Sequence, residues 1–534
     1  MKLKSLFKEI DELTWKGSKE TVITSITANS KAVGPGTLFL AKRGKTGNGH
    51  KYIPEAIAAG ASAILTDTFD PFLSVTQIIH PDVNALEPRL AHRFYHNPAS
   101  RLTVYGVTGT SGKTTTTFLI RHFLESVGHP CGLIGGVSWM TGKKILPATL
   151  TTPDLVTVLS LFHEMVAEGC GSVAMEISSH AIDQKRVEGI PLRVGVFTNL
   201  SQDHLDYHSS MEEYGATKAQ MFKDLSPQSI ALVNGDDPWS SVMIQDTPAQ
   251  ILRYGLDPKG LLNNKVTHFA SAKAPAVGRL EMGVVSEIQP HFQSPNPGAL
   301  APRHGLLYCL TDPKFELVAT DLELSSRGMQ FQVLWKGEKA LFKTSLIGRF
   351  NIYNILAAAG AVLSQGMSLQ KIAEALRHFA GVPGRLERVP NPRQLQVFVD
   401  YAHKPDALKN VLQTLREIKE GRLITVFGCG GNRDVQKRPQ MAAIAETLSD
   451  FTIVTNDNPR GEDPQEIARQ VIAGFKTRDR YTVELDRKRA IHQALNLAKP
   501  EDLVLIAGKG HETYQLFGDQ TFPFDDRQIV QDCI

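Results

Sequence analysis

The stretch Gly106-Val107-Thr108-Gly109-Thr110-Ser111-Gly112-Lys113-Thr114-Thr115 constrains this chain more than any other. An apolar, β-branched run, Thr103-Val104-Tyr105, precedes it, and a helical pattern carrying Phe118, Leu119, Phe123 and Val127 follows. Strand, glycine-rich turn and helix in that order predict a phosphate-binding loop. Small residues let backbone N–H groups approach phosphate oxygens, and the helix N-terminus adds positive potential. Lys113 is expected to reach the terminal phosphates and Thr114 to hold Mg²⁺, with Gly109, Thr110, Ser111, Gly112 and Thr115 completing the cradle. The strict motif has glycine at 107, where valine stands. The loop is therefore a variant, with Gly109 and Gly112 as its close-approach positions.

The same rhythm recurs along the chain. Val173 to Ile177, Val194 to Thr198 and Ile230 to Val233 predict buried strands separated by helices, the pattern of βαβ units and a mostly parallel sheet. Before the loop, Thr37 to Ala41 and Ala63 to Leu65 predict short strands around a helix at Ile53 to Ala59. Residues 260–305 break the rhythm with Pro275, Pro290, Pro295, Pro297 and Pro302, and predict an insertion or long surface connection. Gly348 to Ser364 predicts a helix rich in small residues.

Beyond Gly384 the alternation resumes, with strands expected at Leu395 to Val399, Leu423 to Phe427, Phe451 to Thr455 and Leu503 to Ile506. Each ends in a polar or glycine-rich loop: Asp400-Tyr401-Ala402-His403, Gly428 to Asp434, Asp457 to Arg460, and Gly508 to Glu512. Ligands bind beyond the carboxyl ends of strands in open α/β sheets, so these four loops predict a second ligand site.

With 534 residues the chain exceeds a single core, and two or three domains are expected. Its 42% hydrophobic and 21% charged residues exclude wholesale disorder, a collagen-like chain and a coiled-coil rod. A net charge of +3 gives no reason to expect nucleic acid or an acidic membrane as partner. The five cysteines form no C-x-x-C pair, so neither a disulfide framework nor a structural zinc site is signalled. Met1 to Leu13 lacks the apolar run of a signal peptide, and no stretch reaches the ~20 apolar residues of a membrane span. A cytoplasmic protein is expected.

Two polar clusters follow strands of the phosphate-loop region: Glu176-Ile177-Ser178-Ser179-His180, and Asn199 to His208. Glu176 and His204 are candidate cation ligands, since Mg²⁺ suits a carboxylate beside phosphates. Either residue alone is more often a surface or satisfied core group, and their shared position after strands of the phosphate-loop region favours the functional reading.

Taken together, these motifs closely resemble the Mur ligase family. The resemblance rests on the loop at Gly109 to Thr115, Thr151-Thr152-Pro153-Asp154, Glu176 to His180, and Asn199 to His208. It continues through Gly348-Arg349-Phe350-Asn351, Gly384-Arg385-Leu386-Glu387, Asp400 to His403, Asp457-Asn458-Pro459-Arg460, and Gly508-Lys509-Gly510-His511-Glu512. It spans essentially the whole chain except 260–305.

The resemblance implies a three-domain α/β architecture. A domain over 1–100 would bind a uridine nucleotide, and a central P-loop ATPase-type parallel sheet over 101–384 would bind ATP. A Rossmann-like domain over 385–534 would bind an incoming amino acid. The implied chemistry is phosphorylation of the D-glutamate carboxylate of UDP-MurNAc-L-Ala-D-Glu by ATP. An amino group, expected to be that of meso-diaminopimelate, then attacks the acyl phosphate. Lys113, Glu176, His204 and a carbamylated Lys218 are the implied catalytic residues. Thr114, Glu176, His204 and Lys218 are the implied metal ligands; without the resemblance, Lys218 reads as a surface lysine. Asn351, Arg385, Asp400 and His403 would contact or position the nucleotide.

Thr151, Thr152, Ser178, Gln184 and Arg186 would hold the muramoyl-dipeptide, and Ser30, Lys45, Thr46 and Gly47 its uridine end. Here Ala28-Asn29-Ser30-Lys31 departs from the family's Leu-Asp-Ser-Arg. Arg433, Asp457, Asn458, Pro459, Arg460, Gly508 and Glu512 would bind diaminopimelate, since Arg460 offers a planar fork matched to the carboxylate that lysine lacks. A monomer is expected. The competing readings are a lysine-adding synthetase of the same family, a folylpolyglutamate synthetase-like ligase, which lacks the Asp-Asn-Pro-Arg loop, and a non-catalytic P-loop scaffold.

Overall fold

The computed structural model describes residues 1–43, 47–257, 315–532 and the backbone of 265–266. The expected connection at 260–305, save those two residues, and Lys45 and Thr46 lie outside the described residues.

Three sheets carry the chain. In the first, five strands lie in the spatial order Thr14–Lys16, Thr76–Ile79, Ala61–Thr66, Thr37–Leu40, Ser25–Thr27. All neighbours are parallel except the antiparallel pair that Thr14–Lys16 makes at one edge. Thr37–Leu40 is buried at all four positions, which explains its unbroken apolar run.

The second sheet centres on six parallel strands. In chain order these are β1 (Thr103–Thr108), β2 (Cys131–Ile134), β3 (Ser172–Glu176), β4 (Leu192–Phe197), β5 (Ile230–Asn234) and β6 (Gln250–Leu256). Their spatial order is β6-β5-β4-β1-β3-β2. Helix α1 (Lys113–Ser126) follows β1, α2 (Met211–Lys223) precedes β5, and α3 (Arg349–Leu363) covers the face beside α1. Small residues let α3 lie close to the sheet: a Cβ on Gly360 would come within 3.0 Å of the Leu232 side chain.

The sheet is mostly parallel, as expected, with antiparallel strands added at both edges. Ser138–Met140 and Ile145–Pro147 add antiparallel strands beyond β2. On the other side Leu317–Ser325 pairs parallel with β6 and then antiparallel with Gly328–Trp335, which pairs antiparallel with Glu338–Thr344. In Gly328–Trp335 and Glu338–Thr344, buried and more exposed positions mostly alternate. That is the pattern of strands with one wet face, which βαβ reasoning does not seek.

The third sheet runs Glu387–Arg388, β7 (Gln396–Asp400), β10 (Leu503–Ala507), β8 (Leu423–Phe427), β9 (Phe451–Val454), Tyr481–Val483. It is parallel apart from the two-residue edge strand. Helix α4 (Lys437–Leu448) lies between β8 and β9 in the chain, and α5 (Arg487–Leu497) precedes β10. Register pairs Asp400 with Ala507, so the loops after β7 and β10 leave the sheet side by side. A buried ion pair braces this end. Arg487 and Asp526 have no exposed side chain, and the guanidinium also donates to Asn456 O and Ala507 O, at the ends of β9 and β10. Among the described residues no helix is long and apolar enough to cross a membrane.

Candidate functional site

The loop between β1 and α1 is built on contacts that only glycine permits. Gly109 has φ +143° and Gly112 φ +86°; added Cβ atoms would fall 2.0 Å from Thr198 Oγ1 and 2.3 Å from Asn354 Oδ1. The end of β4 props the loop: Thr110 N–H donates to Asn199 O (2.8 Å) and Ser111 N–H to Asn199 Oδ1 (3.0 Å). Thr198 Oγ1 donates to Ser111 O (2.6 Å). Lys113 folds back into this ring, its Nζ donating to Gly109 O (2.7 Å) and Thr110 O (2.8 Å). Burial lowers its pKa while Glu176 and Asp203 pull it up. Asn351 reaches the loop indirectly: its Oδ1 accepts from Asn354 Nδ2 (3.0 Å), and Asn354 lies against Gly112.

Lys218 projects from α2 beneath the same loop and is 1% exposed. Its Nζ lies 3.2 Å from Gly109 O and 3.4 Å from Thr108 Oγ1, and 4.7 Å from the centre of the Tyr214 ring. Burial, with the neighbouring Lys113 charge, holds its pKa far below the ordinary lysine value. Burial therefore disfavours the charged form of this amine.

Glu176 ends β3 and accepts from Gly136 N–H through Oε1 (2.9 Å). Thr152 links it to the next residues: its hydroxyl donates to Glu176 O (2.8 Å) and accepts from Ser178 N–H (3.2 Å). Arg186 donates to Thr152 O (2.8 Å) and, through two nitrogens, to Gln184 Oε1 (3.2 and 2.6 Å). Thr151 flanks this patch, its hydroxyl 3.2 Å from a Cβ position on Gly136. Ser178 also caps the helix Ser179–Asp183 by accepting from Ala181 N–H.

Beside the patch, His204 adopts φ +55°, and the His180 ring lies 5.1 Å from it. Burial lowers the pKa of both imidazoles. Among the described residues no three His, Cys, Asp or Glu side chains converge.

The ends of β7, β8, β9 and β10 form the second cluster. Arg460, at φ +53°, donates from Nη1 to Gly431 O (2.9 Å), and its backbone pairs with the hairpin Tyr514–Phe517/Gln520–Pro523. Asn458 Nδ2 donates to Glu512 Oε2 (3.0 Å). Asp457 Oδ2 is buried without a hydrogen-bond partner and lies 2.6 Å from a Cβ position on Gly508. Pro459 is buried and Arg433 exposed at the rim.

Asp400 is held by Leu386 N–H (2.6 Å) and Ala402 N–H (2.8 Å), and burial raises its pKa. Arg385 lies 5.1 Å from the Tyr401 ring centre, with its Nε buried and unpaired. His403 Nδ1 lies 2.8 Å from Tyr401 O. Ser30 opens the one-turn segment Ser30–Ala32, and Gly47 is exposed, both on the first sheet's side of the molecule.

Models of three Mur ligase domains match this chain in succession. The Mur ligase family catalytic domain matches 22–100, the Mur ligase middle domain 107–289 and 305–362, and the Mur ligase glutamate ligase domain 384–510. A protein of Chlamydia muridarum is 37% identical over 100% of this chain and 99% of its own length. A protein of Caldanaerobacter subterraneus is 37% identical over 97% and 96% respectively. The chain belongs to the Mur ligase family.

Both relatives are named UDP-N-acetylmuramoyl-L-alanyl-D-glutamate--2,6-diaminopimelate ligase. A solved structure of that name is 28% identical, covers 99% of this chain and 98% of its own, and superposes with a TM-score of 0.63. The UDP-N-acetylmuramoylalanyl-D-glutamyl-2,6-diaminopimelate--D-alanyl-D-alanyl ligase of Acinetobacter baumannii shares the fold, with a TM-score of 0.64 at 17% identity over 96% of this chain and 95% of its own. The three sheets are thus the three-domain α/β fold of Mur ligases.

Several buried residues of this Mur ligase site escape sequence reasoning. Lys509 is fully buried beside Asn458 and Glu512. Arg438, also fully buried, pairs with Glu462 and donates to Gly430 O. His208 is 2% exposed, with its Nε2 3.0 Å from Ser179 Oγ. Long charged side chains are mostly exposed, so nothing local marks Lys509 or Arg438 as internal. Lys509 at least stands inside a glycine-rich strand-end loop, whereas Arg438 lies in the first turn of α4.

Proposed function

We propose that this Mur ligase is an ATP-dependent ligase that joins meso-diaminopimelate to UDP-MurNAc-L-Ala-D-Glu in peptidoglycan precursor synthesis. The observation that carries the reading is the 37% identity, over 97–100% of the chain, with ligases named for that reaction. The charges gathered on the strand-end loops support it: the cations Arg460 and Arg433, and the carboxylates Asp457 and Glu512 with Asn458 bonded to Glu512.

A carboxylate is a poor electrophile, and it repels ATP. The loop N–H groups and Lys113 would bind the polyphosphate and offset part of that repulsion. Lys113 would leave Gly109 O and Thr110 O for the terminal phosphate, its amine exchanging neutral acceptors for anionic ones. Phosphoryl transfer to the D-glutamate carboxylate makes an acyl phosphate and ADP. Attack by the diaminopimelate amine then forms the amide, expels phosphate and releases a proton. Thr151, Thr152, Ser178, Gln184 and Arg186 would orient the dipeptide. Asp457, Asn458 and Glu512 would take the ammonium of the end that does not react, or its hydrogen bonds, and Arg460 the carboxylate of that end.

The donor set fits a divalent cation. The Thr114 hydroxyl, the Glu176 carboxylate and the His204 imidazole would hold Mg²⁺, together with Lys218 as its carbamate. A neutral buried amine is the form that takes up CO₂, and the carbamate supplies an anionic oxygen where a charged lysine could not ligate. When bound, Mg²⁺ would neutralise phosphate charge and align the reacting groups. Domains at 1–100, 101–384 and 385–534 would then hold the uridine nucleotide, ATP and the amino acid, in a cytoplasmic monomer.

The test is ADP release coupled to UDP-MurNAc-L-Ala-D-Glu, with meso-diaminopimelate, L-lysine or neither supplied. Turnover with diaminopimelate at least a hundredfold above lysine is expected. Equal use of lysine overturns the choice of amino acid, and no turnover with either overturns the ligase reading.

A further inference from the structure

Lys509 has no exposed surface, yet it sits in the crevice that the proposed function assigns to the amino acid. Its Nζ donates to Asn458 Oδ1 (3.1 Å) and Glu512 Oε2 (3.2 Å), and lies 5.4 Å from the centre of the Tyr514 ring. Asn458 Nδ2 donates to the same Glu512 oxygen (3.0 Å). The orientation of that amide is independently determined. Leu516 N–H approaches Oδ1 at 3.1 Å, and an N–H can face only an acceptor. Lys509, Asn458 and Glu512 therefore form a closed triangle, anchored to the hairpin through Leu516.

The triangle also sets the local charge. Asp457 and Glu512 bring two carboxylates to these strand-end loops, and the Asp457 Oδ2 is buried and unpaired. Without a counter-cation, two carboxylates best match an extra ammonium. Lys509 is committed to Glu512 from the interior, where charges interact more strongly than in water. That leaves the Asp457 carboxylate, whose buried Oδ2 has no hydrogen-bond partner, in the same loop as Arg460. Such a balance matches an amino-acid end that bears both an ammonium and a carboxylate.

We propose that Lys509 is a positioning residue that sets selectivity for the diamino diacid: it orients Glu512 and Asn458 and balances one carboxylate, so that a side chain ending in a lone ammonium is disfavoured. This rests on the proposed ligase reading and deepens it.

The experiment compares wild type with Lys509→Met, which keeps length and removes charge. It measures kcat and KM for meso-diaminopimelate, L-lysine and ATP, with the thermal midpoint. KM for diaminopimelate is expected to rise at least tenfold, with KM for ATP within twofold. The ratio of kcat/KM for diaminopimelate over lysine is expected to fall at least tenfold. A folded variant with unchanged KM for diaminopimelate, or with both KM values raised together, overturns the proposal. Should the methionine variant not fold, Lys509→Arg keeps a cation and Lys509→Gln keeps only a donor. Selectivity retained by arginine and lost with glutamine supports the proposal, and equal behaviour of the two overturns it. Wild type that uses diaminopimelate without dependence on Lys509 sinks this inference alone; wild type that does not use it sinks the reading beneath.

Discussion

The Lys404 ammonium lies 3.3 Å from the Asp203 carboxylate, joining the loop after β7 of the third sheet to the loop after β4 of the second. Asp203 precedes His204, and both Asp203 and Lys404 act on the charge of Lys113. Burial alone would raise the Asp203 pKa; Lys404 and His204 more than offset it, and the carboxyl titrates below its ordinary value. The bridge therefore ties the third sheet's strand-end loops to those of the second.

The pair is partly exposed, so its contribution is small, about 0.2–1 kcal/mol. Lys404→Ala should lower kcat/KM for ATP by no more than about fivefold and leave the thermal midpoint nearly unchanged. The effect should shrink in high salt, because exposed charges are screened. Steady-state kinetics at low and high ionic strength check this.

Lys113→Ala should abolish ligation while leaving the fold in place. Each ~1.4 kcal/mol of lost transition-state stabilisation is tenfold in rate, and a charge on the transferring phosphate is worth several such factors. Turnover should fall by about 10³ or more with the thermal midpoint shifted by only a few degrees. Parallel ADP-release and melting measurements separate the two effects.

Lys218 offers a stability test with a defined sign. Its folded pKa lies below the unfolded one, so the unfolded chain binds the extra proton and stability rises with pH. Lys218→Met removes that penalty. In CO₂-free buffer without nucleotide, the variant should be more stable than wild type near neutral pH. The gain should decline as pH rises toward the ordinary lysine pKa of about 10.4. Denaturant unfolding from pH 7 to 10 reads it directly. The same variant should be nearly inactive.

Arg460→Ala should cost most diaminopimelate activity and narrow the preference over lysine. With lysine bound, an intact Arg460 would lose its carboxylate partner; being only half-buried and still bonded to Gly431 O, it would suffer less than the roughly 3–5 kcal/mol of a fully buried unpaired charge. Wild-type discrimination of ~10²–10⁴ in kcat/KM is expected. The kcat/KM for both amino acids, in wild type and variant, decides it.

Asp526→Ala should destabilise the third sheet's ligand end. Arg487 would remain buried without its ion-pair partner, at a cost of about 3–5 kcal/mol. Denaturant unfolding should show a loss of that size, and KM for the amino acid should rise because Asn456 and Ala507 lose their brace.

By itself the sequence determined the parallel strands, the phosphate loop and the positions of the strand-end loops. Those features are local. A buried strand needs an unbroken apolar run, and the Gly109 and Gly112 backbone needs glycine whatever surrounds it. The antiparallel edges from Leu317 to Thr344 and from Ser138 to Pro147 were not legible, because no loop chemistry announces them. Arg460 and Glu512 were legible as members of motifs, but not the triangle that Lys509 makes with Asn458 and Glu512. Only the tertiary structure decided that Lys218, Lys509, Arg438 and Arg487 lie inside. A lysine or arginine is buried only where distant segments supply its partners, and those partners come together through folding, not through neighbourhood in the chain.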